Sequence, residues 1–576
     1  MNTTAIALEN VSAELPRRKR ARLAGRTADA ATLDEVRATL GSLPLRRDLL
    51  IEHLHALNDR FGQLRTGHLA ALAQLLKLAQ VEVYEVASFY HHFEVVREDA
   101  QGRYAAPPRL TLRVCSGLSC ELAGARALIE KLPALLGAEV RVLEAPCVGR
   151  CEQAPVAVLH QRAVPKADAA AIQSLVKADR RFDDMPAAID LAAYLAQGGY
   201  RLLRECHDGT RDVESVIQAM EDSGLRGLGG AGFPAGRKWR IVRGEAAPRL
   251  MAVNIDEGEP GTFKDRHYLE RDPHRFLEGL AVAAWAVGIT KVYVYLRDEY
   301  HGCRALLERE LAALRAQPPV AGLPEIELRR GAGAYICGEE SAMIESIEGK
   351  RGMPRLRQPY VAQVGLFGRP TLEHNFETLY WVRDIVERGP QWFASNGRHG
   401  RKGLRSFSVS GRVREPGVKL APAGITLREL VDEYCGGLPD GHELYAYLPG
   451  GASGGILPAS MADIPLDFDT LQPHGCFIGS AAVMVLTKSA SHVDRAVDAA
   501  RNLMRFFEDE SCGQCTPCRA GTAKTRALIE HERWDTALLA ELSQVMRDAS
   551  ICGLGQAAPN PVDCVVRYFP HELESR

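Results

Sequence analysis

The pattern of hydrophobic positions changes several times along the chain, and each change marks a predicted domain boundary. Residues 1–35 show no periodicity, which predicts a flexible tail. Apolar residues then recur every three or four positions in RRDLLIEHLHALNDRFG and GHLAALAQLLKLAQV, which predicts a helical bundle over residues 36–100. Two alternating stretches, RLTLRVC and VRVLEAPC, flank a helical ARALIEKLPALL and predict a small α/β domain over residues 101–195.

The second half repeats this alternation on a larger scale. Helical and strand-like segments alternate over residues 200–395, as in a doubly wound, Rossmann-like sheet. Short strands with glycine turns predict a small α+β domain over residues 400–482, and helical periodicity returns over residues 486–576. The fold class is therefore an α/β multidomain protein.

The composition argues against nucleic acid and membranes as partners. The 576 residues contain 71 Lys and Arg against 73 Asp and Glu, so no overall field would attract nucleic acid. The first twenty residues lack an apolar export signal, and the longest apolar run, GLAVAAWAVGIT, is too short to span a bilayer. We expect a cytoplasmic protein without membrane insertion.

Eight of the 14 cysteines stand in tight spacings that suit a metal in a reducing compartment. Cys115 and Cys120 close one predicted strand, and Cys147 and Cys151 close the next. Four thiolates on adjacent loops can hold a [2Fe–2S] cluster. Zinc is the main alternative, although its sites usually contain C-x2-C pairs.

A second cysteine group lies in the C-terminal helical region. The sequence ESCGQCTPC places Cys512, Cys515 and Cys518 at three-residue intervals, and Cys552 follows in ICGLG. This spacing is typical of a [4Fe–4S] site, with Cys564 as the other nearby candidate for the fourth ligand and zinc as a weak rival. Adjacent His91 and His92 would point to different faces of a helix, which argues against a metal site there.

Glycines and carboxylates between these two groups predict a phosphate-binding pocket. Four glycines of RGLGGAGFP allow close backbone approach to a phosphate, and a strand-like MAVNI then ends in Asp256, Glu257 and Glu259. A second glycine-rich piece places Gly338, Glu339 and Glu340 at a predicted helix start. The alternative is a glycine loop without a ligand.

These motifs together resemble a known family. The helical region with its C-x4-C and C-x3-C pairs resembles the thioredoxin-like 24-kDa-type subunit of respiratory complex I. The stretches RGLGGAGFP, NIDEGEPGTFKDR, GAYICGEESA and ESCGQCTPC resemble its 51-kDa-type flavoprotein subunit. The same fusion occurs in flavin subunits of NAD-linked hydrogenases and of soluble NAD-dependent formate dehydrogenases. The run GRVREPGVKLAPAGITLRELVDEYCGG is most similar to the formate dehydrogenase β subunit.

The resemblance implies a thioredoxin-like [2Fe–2S] domain, an FMN/NAD(H) domain, a β-grasp domain at 400–482 and a [4Fe–4S] bundle. The implied FMN contacts are Gly227, Gly229, Gly230, Lys238, Asn254, Asp256, Glu257, Gly338, Glu339 and Asn375. The implied NAD(H) contacts are Phe233, Lys238, Glu259, Glu340, Arg357 and Tyr360, with Glu259 and Glu340 at the reaction centre. This chain has His374 where the family usually has Asn, which leaves a flavin-phosphate contact from His374 as an open expectation, and Tyr360 replaces a usual Phe.

The implied function is a diaphorase that passes electrons between NAD(H) and iron–sulfur clusters through FMN. The resemblance to formate dehydrogenase implies a partner subunit that oxidises formate on a molybdenum or tungsten pterin and carries further iron–sulfur clusters. The alternatives are the flavin subunit of an NAD-linked or electron-bifurcating hydrogenase, and a complex I-like module. A protein of another class, a non-catalytic iron–sulfur scaffold or redox sensor, would use the same fold without flavin turnover.

Overall fold

The computed structural model describes residues 27–574. Most of the predicted tail, including its basic Arg17–Arg20 cluster, therefore lies outside the described residues. The first helix, Ala30–Leu40, nevertheless begins inside the segment predicted as tail. Asp29 caps this helix by accepting a hydrogen bond from the Thr32 amide at 2.8 Å. Only Val36 and Leu40 of this helix are buried, so its apolar pattern is too short to be recognised in the sequence.

The N-terminal domain is helical, as predicted, with one short parallel strand pair. Its helices pack around buried leucines such as Leu54, Leu57 and Leu72. The elements are the helices Ala30–Leu40, Leu50–Phe61, Thr66–Leu76 and Gln80–Phe89 and the strands Leu64–Arg65 and Val95–Val96.

The next domain is a four-stranded sheet with the thioredoxin-like arrangement. The strand Leu110–Cys115 lies between Val140–Ala145, which is parallel to it, and Ala157–Leu159, which is antiparallel. Because the first two strands are parallel, their carboxyl ends meet at one edge and bring both cysteine loops together. The remaining elements are the strand Arg162–Val164 and the helices Leu118–Leu122, Ala125–Leu136 and Ala169–Ala178.

A parallel four-stranded sheet forms the third domain. The strand order is Thr371–Asn375, Arg249–Ile255, Ile289–Leu296 and Glu325–Arg330. Buried helices cover the sheet, as the apolar strands require. These helices are Leu191–Ala196, Arg201–His207, Val213–Asp222, Ala235–Gly244, Lys264–Leu269, Pro273–Val287, His301–Ala316, Glu340–Ile347, Phe376–Tyr380, Val382–Arg388 and Pro390–Ala394.

A five-stranded mixed sheet with one crossing helix follows, as in a β-grasp domain. The helix Leu427–Tyr434 begins with a capping box formed by Thr426 and Glu429. The strand order is Gly417–Pro422, Leu404–Gly411, Ala482–Lys488, Glu443–Leu448 and Leu457–Pro458.

The C-terminal domain is a helical bundle. Its helices are Ala496–Asp509, Thr516–Ile529, Thr536–Ala549, Gly553–Ala557, Asn560–Tyr568 and His571–Glu574. Across residues 27–574, no helix has the length and apolar character that a bilayer crossing requires.

Candidate functional site

The glycine loop packs against the carboxyl end of the strand Thr371–Asn375 and the start of the helix that follows it. Its ends are joined by a hydrogen bond from the Gly227 amide to the Phe233 carbonyl at 2.8 Å. A Cβ atom on Gly229 would lie 3.0 Å from the Asn375 Cβ, and Gly230 has a φ of 121°. Both positions therefore favour glycine, and the loop leaves backbone open to a ligand at the strand ends.

The end of the strand Arg249–Ile255 carries one polar side chain that is bonded within the protein and one that is not. The Asn254 amide donates to the Gly338 carbonyl at 2.8 Å, which joins the first strand end to the second glycine-rich segment. Asp256 Oδ2 is buried without a hydrogen-bond partner, and burial raises the pKa of this carboxyl well above its usual value. An orphaned buried oxygen at this edge fits an additional hydrogen-bonding ligand.

Glu257 is turned away from the glycine loop. Its carboxylate accepts hydrogen bonds from the Asp265 amide at 2.8 Å, the Arg266 amide at 3.2 Å and the Tyr300 hydroxyl at 2.9 Å. Burial and the neighbouring Asp265 raise the pKa of Glu257 to about 7. A direct cofactor contact from Glu257 would therefore involve its backbone rather than its carboxylate.

Glu259 is held by the β-grasp domain. Its Oε1 accepts from the Ser453 amide at 2.8 Å, and its Oε2 accepts from the Tyr335 hydroxyl. Burial raises the pKa of the Glu259 carboxyl. Tyr335 of the third domain and Ser453 of the β-grasp domain together fix the orientation of this predicted nucleotide contact.

The two adjacent glutamates of the second glycine-rich segment have different surroundings. Glu339 caps the helix Glu340–Ile347 by accepting from the Ser341 and Ala342 amides, each at 2.9 Å. Among residues 27–574, no hydrogen bond or ion pair involves the Glu340 carboxylate. Its carboxylate is therefore available to a ligand, whereas that of Glu339 is largely committed to the helix.

Glu373 is a site residue that the sequence reasoning missed. Lys238 Nζ donates to the Glu373 carbonyl at 3.1 Å, and the Glu373 carboxyl lies near Glu339, Glu340 and Asn254. Its Oε2 is buried without a partner, and burial with the nearby Glu340 raises its pKa well above the usual value. The available signal was an acidic residue inside the short buried strand TLEHN.

His374 faces the opposite side of this strand. Its Nε2 accepts a hydrogen bond from the Trp239 indole at 2.7 Å, and both side chains are buried. Burial, and secondarily Lys238, lowers the pKa of His374 well below its usual value. This ring nitrogen is thus used in packing against the helix Ala235–Gly244, rather than for the flavin-phosphate contact considered above.

Asn375 belongs to a buried ionic network beside the glycine loop. Its Nδ2 donates to Asp265 Oδ2 at 2.7 Å, and its Oδ1 accepts from the Glu377 amide at 3.0 Å. Lys264 Nζ lies 2.7 Å from Asp265 and 3.1 Å from Glu377. Lys264 and Asp265 belong to the motif NIDEGEPGTFKDR, but the sequence alone did not predict that both side chains are buried.

The predicted aromatic nucleotide contacts lie on exposed loops. Phe233 is 39% exposed, with the Arg237 guanidinium 5.8 Å from its ring centre, and Tyr360 is 53% exposed. Within residues 27–574, no hydrogen bond joins the side chains of Arg357 or Tyr360 to the glycine loop. Phe233 and Tyr360 thus present their rings to solvent, as surface on which a planar ligand could stack.

The first cysteine group forms one buried cluster, as predicted from its spacing. Cys115 contacts the thiols of Cys120 and Cys147, and Cys147 Sγ lies 3.3 Å from Cys151 Sγ. All four side chains are at most 6% exposed. Hydrogen bonds from Cys115 and Cys151 lower the pKa of Cys147 well below its usual value. Four converging thiols fit a [2Fe–2S] cluster.

Arg297 joins this cysteine cluster to the predicted flavin pocket. Its guanidinium donates to the Cys147 carbonyl at 2.7 Å and also to the Glu257 carbonyl. Arg266 donates to the Gly149 carbonyl at 3.1 Å. The thioredoxin-like domain is therefore held against the strand ends of the third domain.

The second cysteine group lies where the helix Thr516–Ile529 begins. Cys515 and Cys518 contact each other, and burial raises the pKa of Cys518 to about 11 and that of Cys552 to about 12. Cys564, the alternative fourth ligand, instead lies with its Sγ 3.5 Å from Cys476. Cys552 lies near Cys512, and Gly555, three residues further on, packs against Cys518, so the geometry favours Cys552 and the donor set fits a [4Fe–4S] cluster.

A glycine loop, nearby buried acids without partners and two separate groups of thiols are together the arrangement of an iron–sulfur flavoprotein. Residues 220–384 match the family described as Nuo51 FMN-binding domain, and residues 498–576 match the NADH-ubiquinone oxidoreductase-F iron-sulfur binding region. Residues 36–180 match the thioredoxin-like [2Fe-2S] ferredoxin family. FMN and both clusters are therefore confirmed as cofactors at the level of domains.

Comparison with individual proteins defines the family. The chain is 41% identical over 404 residues to the F 2 subunit of NADH-quinone oxidoreductase from Rhizobium meliloti, covering 68% of this chain and 95% of that protein. It is 41% identical over 382 residues to the mitochondrial NADH-ubiquinone oxidoreductase 51 kDa subunit of Neurospora crassa, covering 63% and 76%. The chain belongs to this family of NADH-oxidising flavin subunits.

A solved structure extends the similarity to the fused N-terminal domains. A chain of an NAD+-reducing [NiFe]-hydrogenase in the H2-reduced state is 35% identical, with a TM-score of 0.79 and coverage of 92% of each chain. The predicted multidomain fold is therefore confirmed.

Proposed function

We propose that this chain is the diaphorase subunit of an NAD-dependent formate dehydrogenase, exchanging electrons between NAD(H) and a partner subunit with a molybdenum or tungsten pterin. One observation carries the diaphorase assignment. Asp256 Oδ2 and Glu373 Oε2, both buried and unpartnered, belong to two adjacent parallel strands and the residue that follows one of them, next to a glycine loop that packs against Asn375. A pocket with unused acceptors is suited to a hydroxyl-rich nucleotide.

The residues of this chain would hold the cofactors in defined ways. The glycine loop offers backbone to a phosphate, and Lys238 provides the nearby positive charge. Glu340 and Asp256 can accept hydrogen bonds from nucleotide hydroxyl or imide groups, because neither carboxyl is fully used by the protein. Phe233 can cover an aromatic ring, a contact worth about 1 kcal/mol.

When bound, FMN would supply the conversion between two-electron hydride chemistry and one-electron transfer. The protein contributes position and exclusion of water. Glu259, fixed by Tyr335 and Ser453, lies where the third domain meets the β-grasp domain. Arg297 holds the [2Fe–2S] loop against the strand end that carries Asp256.

Formate as the distant substrate is supported by the sequence of the β-grasp region, in which GRVREPGVKLAPAGITLRELVDEYCGG resembles the formate dehydrogenase β subunit. Oxidation of formate would take place on the partner subunit and its pterin. A hydrogenase partner is the second candidate, since the similar solved structure with 92% coverage belongs to an NAD+-reducing [NiFe]-hydrogenase.

Co-purification tests the identity of the proposed partner subunit. A tagged chain should retain a subunit that contains molybdenum or tungsten and a pterin, and formate should then reduce NAD+. Nickel in the retained partner, with hydrogen-dependent NAD+ reduction, would replace formate dehydrogenase by hydrogenase. Protein with both clusters but no flavin would favour the scaffold or sensor alternative.

A further inference from the structure

A second pocket lies behind the glycine loop, between the third domain and the β-grasp domain. We call it the interdomain basic pocket, lined among others by Arg226, Arg401, Lys402, Arg405, Asp467 and Phe468, with a volume of about 280 Å³. None of its lining residues belongs to the predicted FMN or NAD(H) contacts. It is therefore a site separate from the proposed reaction centre.

Positive charge exceeds negative charge in this pocket. Asp467 is shared by two guanidinium groups, with Arg401 Nε at 2.7 Å and Arg405 Nη2 at 2.9 Å. Arg226 pairs with Asp469, which is 61% exposed. Two carboxylates are thus paired with three arginines, and Lys402 adds a further positive charge. The surplus charge would attract an anion.

Two of these cationic groups have unused donors. Arg405 is 3% exposed, and its Nε is buried without a hydrogen-bond partner. Lys402 is exposed at the pocket and makes no ion pair with residues 27–574. Leaving a donor of a buried guanidinium unpaired is costly, so an anionic acceptor in the pocket would stabilise this arrangement.

The pocket also has an apolar wall. The Phe468 ring packs against two guanidinium groups, with Arg405 at 4.1 Å and Arg226 at 4.5 Å from its centre. Phe393 lines the same cavity. Arginines packed against an aromatic ring lose conformational freedom, and guanidinium N–H groups match the oxygens of a phosphate.

We propose that the interdomain basic pocket binds a phosphate group, either free phosphate or the phosphate of a small nucleotide. The pocket is linked to the glycine loop, because Arg226 Nε donates to the Gly232 carbonyl. A phosphate bound to Arg226 and Arg405 would therefore restrain the loop that carries the proposed FMN contacts. This inference does not depend on the identity of the partner subunit.

Isothermal titration of the full cofactor-loaded chain tests the proposal, with inorganic phosphate, AMP and adenosine as probes in chloride buffer. We expect one site for phosphate or AMP with a Kd below about 1 mM, as for other small charge-paired ligands. Lys402→Gln should weaken binding about tenfold, the effect of removing one charge-assisted contact. Lys131→Gln, at an exposed lysine of the thioredoxin-like domain, is the matched control and should leave binding unchanged.

The probes distinguish the source of the phosphate. If phosphate and AMP bind with equal affinity, the ligand of the pocket is free phosphate. If AMP binds more tightly and Lys402→Gln weakens its binding, the ligand is a nucleotide. Arg405→Lys should also weaken phosphate binding, because lysine lacks the planar pair of N–H donors of a guanidinium. The variant is compared with the original chain at equal FMN content. Absence of binding up to about 10 mM, adenosine binding as tightly as AMP, or affinities that Lys402→Gln leaves unchanged would each overturn the proposal.

Discussion

Replacement of His374 by leucine should destabilise the third domain by leaving the Trp239 indole N–H without an acceptor. The two groups are joined at 2.7 Å, and Trp239 is 0% and His374 3% exposed, so water cannot replace the lost partner. A buried polar group left unsatisfied costs about 1–3 kcal/mol. Because leucine has a volume close to that of histidine, little of the loss should come from a cavity.

A double-mutant cycle isolates this hydrogen bond. His374→Leu, Trp239→Phe and the double variant should show a coupling energy of about 1–2 kcal/mol, because the double variant has no orphaned donor. Urea unfolding of the apoprotein can be followed by tryptophan fluorescence, since Trp239, Trp285, Trp381 and Trp392 account for four of the 5 tryptophans and all lie in the third domain. FMN affinity is measured in parallel.

The outcome separates the two roles considered for His374. A coupling energy near zero, combined with a large loss of FMN affinity in His374→Leu, would refute the packing role and restore a flavin-phosphate contact. A coupling energy in the expected range with FMN affinity changed less than about threefold supports the hydrogen bond seen here.

Three further predictions concern the site. Cys515→Ser and Cys552→Ser should each abolish the reduced [4Fe–4S] EPR signal while FMN stays bound, whereas Cys564→Ser should retain the signal; loss of the signal in Cys564→Ser and its retention in Cys552→Ser would make Cys564 the fourth ligand. Glu259→Gln should mainly change NADH affinity or release in viologen-linked kinetics, because Ser453 and Tyr335 hold this carboxyl in one orientation; wild-type kinetics would count against the role. Burial and Glu340 raise the pKa of Glu373 from 4.5, so its contribution to apoprotein stability is full below pH 4.5 and is lost as pH rises through the raised pKa. In Glu373→Gln, the free energy of unfolding of the apoprotein should therefore fall less as the pH rises. An unchanged pH dependence would contradict the burial of the Glu373 carboxyl.

The sequence was most informative where short spacing forces proximity. Cys115 and Cys120 on one strand end had to approach Cys147 and Cys151, because the parallel strands place both loops at one edge. The glycine loop was predicted for the same reason, since its glycines lie within a few positions of one another.

Contacts between distant segments could not be read in this way. The turn of Glu257 onto the helix Lys264–Leu269 depends on where that helix begins, and the burial of Lys264 depends on Glu377 from the helix Phe376–Tyr380. Glu373 escaped notice because its environment is set by Lys238 and Glu340, which reach it only through tertiary packing. The periodicity of apolar residues predicts which face of a helix or strand is buried, but it does not predict which other segment of the chain packs against that face.

Flavin content and NADH-dependent viologen reduction, measured together on the purified chain, decide most directly whether it is a diaphorase. We expect about one FMN, about six iron and about six acid-labile sulfide atoms per chain, with viologen reduction that requires NADH. Fully metallated protein that contains no FMN and does not oxidise NADH would contradict the diaphorase assignment.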